Sequence, residues 1–599
     1  MPISLHISEM SYAERLFRTA EEIRAVIEEI DDEEVDAVIL PPDVDELTDE
    51  ENIDDGEMII NDGGQSLPTD ATGTFEIHTA SDANEKIVAQ CARNNSAKCS
   101  KKRKRSESCW VKNTPVYNRT PVSSEGKKVE QLKNKYGSFT PTQMFDLFFD
   151  NSFLSKIVEF SIKYAQSKNN HNFALTVSDL RKFMGILLLS GYHTLPQTKH
   201  YWSKDADKGV PIVRESMSRN RFEEIKKYLH VSDNSNLDKN DKFAKLRPYF
   251  EELNRKFLQF GVFSQKLSVD EQMVPYFGRH SAKMFIRGKP VRFGFKLWCI
   301  SSSTGYVYQF DAYGGASQKM NDNLSLGERV VLNLAKIVEN PRDHLLFFDN
   351  FFTSHSLLVM LSERGFFATG TLRENRTANC PLQTSKQMAK GKKGACDYRF
   401  DSKHEIFVVR WHDNSIVTVA TNTGTLEPFV NTKRYNRKER KHEIVLQPNT
   451  IHQYNQGMGG VDLHDNAIAN YRIRIRGKKW WWPLFTNGLD SAMVNAWKVQ
   501  RLATGDQMNQ IDFKSEVVMS LLRREEADVL QKSSDRCNLG HLSSKSLPVA
   551  VVKDRVDHIV IRDERDARRR CRVCGSQTIF KCKKCQIHLH TNCFSTFHA

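Results

Sequence analysis

Three aspartates stand in settings where carboxylates do chemistry. Asp270 interrupts the strand-like run Leu267-Ser268-Val269-Asp270-Glu271-Gln272, and a charge inside a strand is disfavoured unless something pairs with it. Asp349 ends the apolar run Leu345–Phe348, so it projects into a cleft where a buried strand runs out. Asp462 follows Met458-Gly459-Gly460-Val461, a glycine turn that permits close backbone approach. Asp465 lies three residues on, on the same face if the stretch is helical. A strand, strand, helix trio of carboxylates suits Mg²⁺ or Mn²⁺, which keep water and phosphate oxygens among their ligands. Two such ions, roughly 3.5–4 Å apart, stabilise the attacking and leaving oxygens of an in-line phosphoryl displacement. Read singly, each aspartate fits equally well as a strand-end or helix N-terminal residue facing the macrodipole.

A second constellation ends the chain. Cys571-x2-Cys574-x7-Cys582-x2-Cys585, followed by His588, His590, Cys593 and His598, offers eight donors for two tetrahedral zinc sites. Such crowding of cysteines reads as metal ligation rather than disulfides. A cross-brace assigns Cys571, Cys574, His590 and Cys593 to one ion. Cys582, Cys585 and His598 go to the other, with its fourth position open and His588 the candidate. The short spacing and missing longer ligand loop speak against a RING-type ubiquitin ligase.

Basic clusters lie nearby. Arg279, Lys283, Arg287, Lys289 and Arg292 follow the first acidic strand, and Arg373 and Arg376 follow Thr369-Gly370-Thr371. Tyr471–Lys479 alternates apolar and basic residues, so an extended backbone presents Arg472, Arg474 and Arg476 on one face beside Lys478 and Lys479. Phosphate contact is expected there. Of Trp480, Trp481 and Trp482, an exposed indole is able to stack on an unpaired base, worth about 1–3 kcal/mol, whereas a buried one belongs to the core.

The elements that must position these groups divide the chain. Residues 1–135 read as a largely disordered acidic region, with a short helix at Tyr12–Ile30 and a basic run at 101–105 that fits nuclear import. Residues 136–262 read as helical, opened by Thr140-Pro141 and by Thr176 with Asp179 as caps. Strands dominate 263–372, a polar and basic insertion spans 373–447, the acidic block returns at 448–468, and helices occupy 469–532. A linker at 533–550 leads to the cysteine-rich 551–599.

Charge narrows the function further. The 599 residues carry a net +13, but residues 1–90 hold 25 acidic against 4 basic groups, and the remainder is therefore +34. A body this basic is expected to bind polyanions. No apolar run approaches the ~20 residues that span a bilayer, and Met1–Ile30 lacks the apolar core of a signal peptide. A soluble intracellular protein is expected.

Leu267–Gln272, Phe348-Asp349-Asn350-Phe351-Phe352-Thr353-Ser354 and Tyr454–Asp462 resemble, in order and spacing, the core motifs of the piggyBac transposases. The resemblance covers about residues 140–510 and resumes in the cysteine tail. It implies a multidomain α/β protein: an RNase H-like catalytic domain (263–372 and 448–468), a helical dimerisation and DNA-binding domain split around it, the insertion, and a zinc-binding tail. It makes Asp270, Asp349 and Asp462 the metal ligands and Asp465 an accessory carboxylate. It places Arg373 and Arg376 near target DNA and Trp482 near a DNA hairpin. The implied activity is cut-and-paste transposition by a nuclear homodimer. Water nicks the 3′ ends, the freed 3′-OH attacks the opposite strand to give a hairpin, the hairpin opens, and the ends join TTAA target DNA. The alternative is a transposase-derived DNA- or chromatin-binding protein without that activity.

Overall fold

The architecture is that of a computed structural model describing residues 35–40, 74–79, 108–119, 121, 125–278, 280–286, 291–315, 324–436, 440–523, 558–563 and 568–598. Its spine is a 12-stranded sheet. In chain order the strands are β1 (Val35–Leu40), β2 (Thr74–Thr79), β3 (Trp110–Val111), β4 (Lys266–Pro275), β5 (Met284–Ile286) and β6 (Phe293–Ser302). They continue with β7 (Val307–Ala312), β8 (Leu345–Phe348), β9 (Phe367–Thr371), β10 (Cys396–Asp401), β11 (Ile406–His412) and β12 (Ile416–Thr421). Across the sheet the order is β2-β1-β5-β6-β4-β8-β9-β12-β11-β10-β3, with β7 also on β6.

The middle of the sheet is mixed. β6 runs antiparallel to β4 and β7, whereas β4, β8 and β9 are mutually parallel. Parallel neighbours need a crossover, and the helix His355–Glu363 supplies it between β8 and β9. β6 is buried along its whole length and β4 along most of it, as expected of strands covered on both faces.

Helices before and after the sheet in sequence share one core with it. Thr140 and Thr176 form capping boxes with Gln143 and Asp179, which satisfies N–H groups the first turns leave unpaired. The 23-residue helix Trp482–Thr504 is buried over most of its length. Its Asn495 amide accepts from the N–H of Val307 (3.0 Å) and donates to the Val307 carbonyl (2.8 Å), closing the edge of β7. No described helix is long and apolar enough to cross a membrane.

Two regions depart from the sequence reading. β1, β2, β3 and the helix Glu125–Tyr136 fall in the stretch expected to be largely disordered. β1 pairs with β5 (Asp36 opposite Ile286), because a sheet edge offers unpaired backbone groups to any extended segment. β10–β12 of the insertion continue the same sheet, Val419 pairing with Thr371, around a small core of Phe400, Phe407, Val409 and Trp411. Its remaining strands, β13 (Val430–Asn436) and β14 (Lys441–Gln447), form a separate hairpin. The expected helix at Tyr12–Ile30, the basic run 101–105 and the linker 533–550 lie outside the described residues.

Candidate functional site

Strand alternation decides where Asp270 points. Ser268, Asp270 and Gln272 share one face of β4. The Ser268 hydroxyl reaches the Met458 sulfur at 3.6 Å, and the Gln272 amide donates to a carboxylate oxygen of Asp465. Asp270, between them and 4% exposed, therefore faces the segment 458–465 that carries Asp462. Asp349 follows β8, whose last residue Phe348 pairs with Val269, so it stands abreast of Asp270. The Phe351 N–H donates to its carboxylate at 3.0 Å.

Gly459, at φ 91°, turns the chain into the helix Gly460–Asn470. A Cβ on Gly460 would lie 2.1 Å from the Ser302 carbonyl of β6. Only a glycine lets this helix start so close to the sheet, with Asp462 in its first turn. Tyr454, in the helix Asn449–Gly457, reports the cluster. Burial pushes its phenol up, a hydrogen bond from Thr371 pulls it down, and the charges of Asp349, Asp270 and Asp462 raise it again. Among the described residues, however, the three aspartates are not one of the clusters whose ligand atoms all lie within 4.8 Å of one another. An all-oxygen set of this kind fits a hard divalent cation.

Arg373 and Arg376 hold the loop after Asp349. Arg373 donates to the Asn350 side chain (3.1 Å), and Arg376 to the carbonyls of Asn350 (3.1 Å) and Phe351 (2.7 Å). In the basic stretch, Ile473 and Ile475 are buried and Arg472, Arg474 and Arg476 half-buried, with Lys478 exposed. Burial lowers the Arg472 guanidinium while Asp465 and Asp490 raise it. The Ile473 N–H donates to buried Asp490, which pairs with Lys514 at 3.0 Å.

Three expected DNA contacts are corrected. Trp482 is 2% exposed and its indole N–H donates to the Ile475 carbonyl, so it is a core residue like Trp480 and Trp481. Lys479 is buried and donates to the carbonyls of Lys227 (2.9 Å) and Leu229 (2.7 Å), closing the end of the helix Arg219–Tyr228. Lys283 is buried and donates to the carbonyls of Phe277 and Gly278. In each case carbonyls or aromatic packing compensate burial that the local sequence does not reveal. Arg292 is half-buried; Arg279, Arg287 and Lys289 lie outside the described residues.

In the tail, Cys571, Cys574, His590 and Cys593 converge as one cluster that could hold a metal ion. His590 Nδ1 lies 3.2 Å from the Cys574 sulfur, and its Nε2 lies 3.1 Å from the Gln577 carbonyl, an acceptor that fixes the tautomer. Burial raises the Cys571 thiol, but the N–H groups of Cys574, His590 and Val573 outweigh it and hold it at about 6, favouring the ligating thiolate. The second cluster is Cys582, Cys585, His598 and His558. His558 Nδ1 approaches Cys582 at 3.4 Å and Cys585 at 3.5 Å. His588 turns away to Asp563 at 2.8 Å. His558 lies upstream of every spacing signal in the cysteine run, so only the pairing of β15 (Val560–Arg562) with Phe580–Cys582 brings it in.

A family model described as Transposase IS4 matches residues 140–497. The human PiggyBac transposable element-derived protein 3 is 37% identical over 77% of this chain and 76% of its own length. The human PiggyBac transposable element-derived protein 2 is 35% identical over 78% of each. Among solved structures, the cryo-EM structure of a piggyBac transposase synaptic complex with hairpin DNA superposes with a TM-score of 0.54 at 20% identity, covering 80% of this chain and all of that one.

Proposed function

Since the chain belongs to the piggyBac transposase family, we propose that it is a DNA transposase that excises DNA segments by nicking and hairpin formation and joins them to TTAA sites. The observation that carries this reading is the shared face of β4 and the 458–465 segment, supported by the raising of the Tyr454 phenol by the charges of Asp349, Asp270 and Asp462. The order β7-β6-β4-β8-β9, antiparallel then parallel, supports an RNase H-like catalytic core.

Asp270, Asp349 and Asp462 would hold Mg²⁺ or Mn²⁺, which supplies Lewis-acid activation of water or a 3′-OH and stabilisation of the leaving oxygen. The protein's part is positional. Parallel pairing of β4 and β8 sets two carboxylates abreast, Gly460 sets the third against the sheet, and Arg373 and Arg376 hold the loop behind Asp349. Arg472, Arg474 and Arg476 line an adjacent basic edge suited to phosphates. The tail clusters would hold two Zn²⁺ and read DNA ends. The protein would work in the nucleus as a homodimer on duplex DNA, and the hairpin DNA bound in the solved piggyBac synaptic complex supports a DNA partner.

The similarity to two human proteins described as piggyBac transposable element-derived favours one second reading, DNA or chromatin binding without cleavage. A donor-plasmid excision assay with the cognate ends separates the two. Mg²⁺-dependent excision lost with Asp349→Asn supports the transposase. Specific end binding by wild type with no nicking in Mg²⁺ or Mn²⁺ supports the binding protein.

A further inference from the structure

His355, Asp401 and His404 come together as a cluster separate from both sets of ligands described above. His355 Nε2 lies 3.0 Å and His404 Nδ1 2.7 Å from the same Asp401 oxygen, and the three ligand atoms all lie within 4.8 Å of one another. Asp401 is fully buried, and the two imidazoles are 11% and 13% exposed. They come from three places. His355 opens the helix His355–Glu363 just beyond the Asp349 loop, Asp401 ends β10, and His404 sits in the β10–β11 turn.

The surroundings orient the group. The other Asp401 oxygen accepts from the N–H groups of Cys109 (3.0 Å) and Lys403 (3.1 Å), which turns the first towards the imidazoles. Such support behind a ligand is a regular feature of metal sites. The Trp110 ring packs edge-on against His355 at 5.6 Å and shields it.

We propose that His355, Asp401 and His404 form a third metal site, for a borderline divalent cation such as Zn²⁺, which fastens the β10–β11 hairpin to the helix behind the Asp349 loop. Two imidazoles and one carboxylate are an ordinary zinc donor set, with water in the fourth position. Ligands ~2.0 Å from a tetrahedral centre stand roughly 3.3 Å apart, so binding requires the trio to open by a few tenths of an ångström. The tail cluster shows a similarly close approach, 3.2 Å between Cys574 and His590. The site does not depend on catalysis.

The test is zinc content per full-length chain after exhaustive dialysis, beside thermal unfolding. Wild type should hold three equivalents, and His355→Asn with His404→Asn should hold two. A full-length chain carrying Cys→Ser at 571, 574, 582 and 585 should keep one. With Co²⁺ that serine chain should show weak visible bands without sulfur charge transfer, a readout that does not require the His variants to fold. No metal in the serine chain, or as much zinc in the double histidine variant as in wild type, would overturn the proposal and leave the trio a hydrogen-bonded staple.

Discussion

The Nε2 of His588 lies 2.8 Å from a carboxylate oxygen of Asp563, in a tail whose other three histidines each lie within a metal-type cluster. His588 is thereby spent on a carboxylate, while His558 faces Cys582 and Cys585. His588→Ala should keep the zinc content of its parent, whereas His558→Ala should lose one equivalent. Because structural zinc contributes folding energy directly, only the second should loosen the tail in limited proteolysis. Equal zinc loss in both would return His588 to the ligand set.

Asp465 should behave differently from the other acids. Gln272 donates to it and receives a hydrogen bond from Asn487 at 3.2 Å, which ties it into a buried network. Asp465→Asn keeps an acceptor there, so nicking of end DNA should fall by no more than about tenfold, ~1.4 kcal/mol of barrier. Asp465→Leu strands the amide and should cost about 1–3 kcal/mol of stability in urea unfolding. Asp270→Asn, Asp349→Asn and Asp462→Asn should each cut nicking by more than about 100-fold with DNA affinity little changed. Near-normal nicking by any of these three removes that residue from the site.

Trp482→Ala should act on the fold. Deleting a buried indole costs about 3–5 kcal/mol, and the ring packs against Phe183 and Phe485. The midpoint of urea denaturation should drop, and nicking and hairpin formation should fall together. A stable variant with a selective hairpin defect would restore the base-stacking role.

Acid should weaken the body through its buried histidines. Burial, then the charge of Lys479, pushes His230 down to about 2, and burial pushes His280 to about 3 and His464 to about 4. In the unfolded chain each titrates near 6.5. Between those values the unfolded state binds more protons, so stability is full above pH ~6.5 and falls as pH drops. At pH ~4.5, His230 alone should account for about 2–3 kcal/mol of that loss. His230→Gln should flatten the stability profile measured by denaturation between pH ~4.5 and ~7. An unchanged slope would show that His230 is not held neutral.

The family was legible in the sequence because its three acidic blocks are contiguous runs, and so were the paired thiolates, because CxxC knuckles are local. Capping at Thr140 and Thr176 was legible for the same reason: a cap is decided within four residues. Burial of Trp482, Lys479 and Lys283 was not, since a basic or aromatic residue looks alike whether it meets DNA or a helix's last carbonyls. Those carbonyls lie some 250 residues away for Lys479. His558 and the His355–Asp401–His404 trio were missed for a related reason, as no spacing links ligands that strand pairing and a crossover helix bring together. Local chemistry fixes which side chains are capable of ligation or phosphate contact. Long-range packing decides which of them are spent on the protein itself, because burying a polar group is tolerated only where a distant partner compensates its lost water.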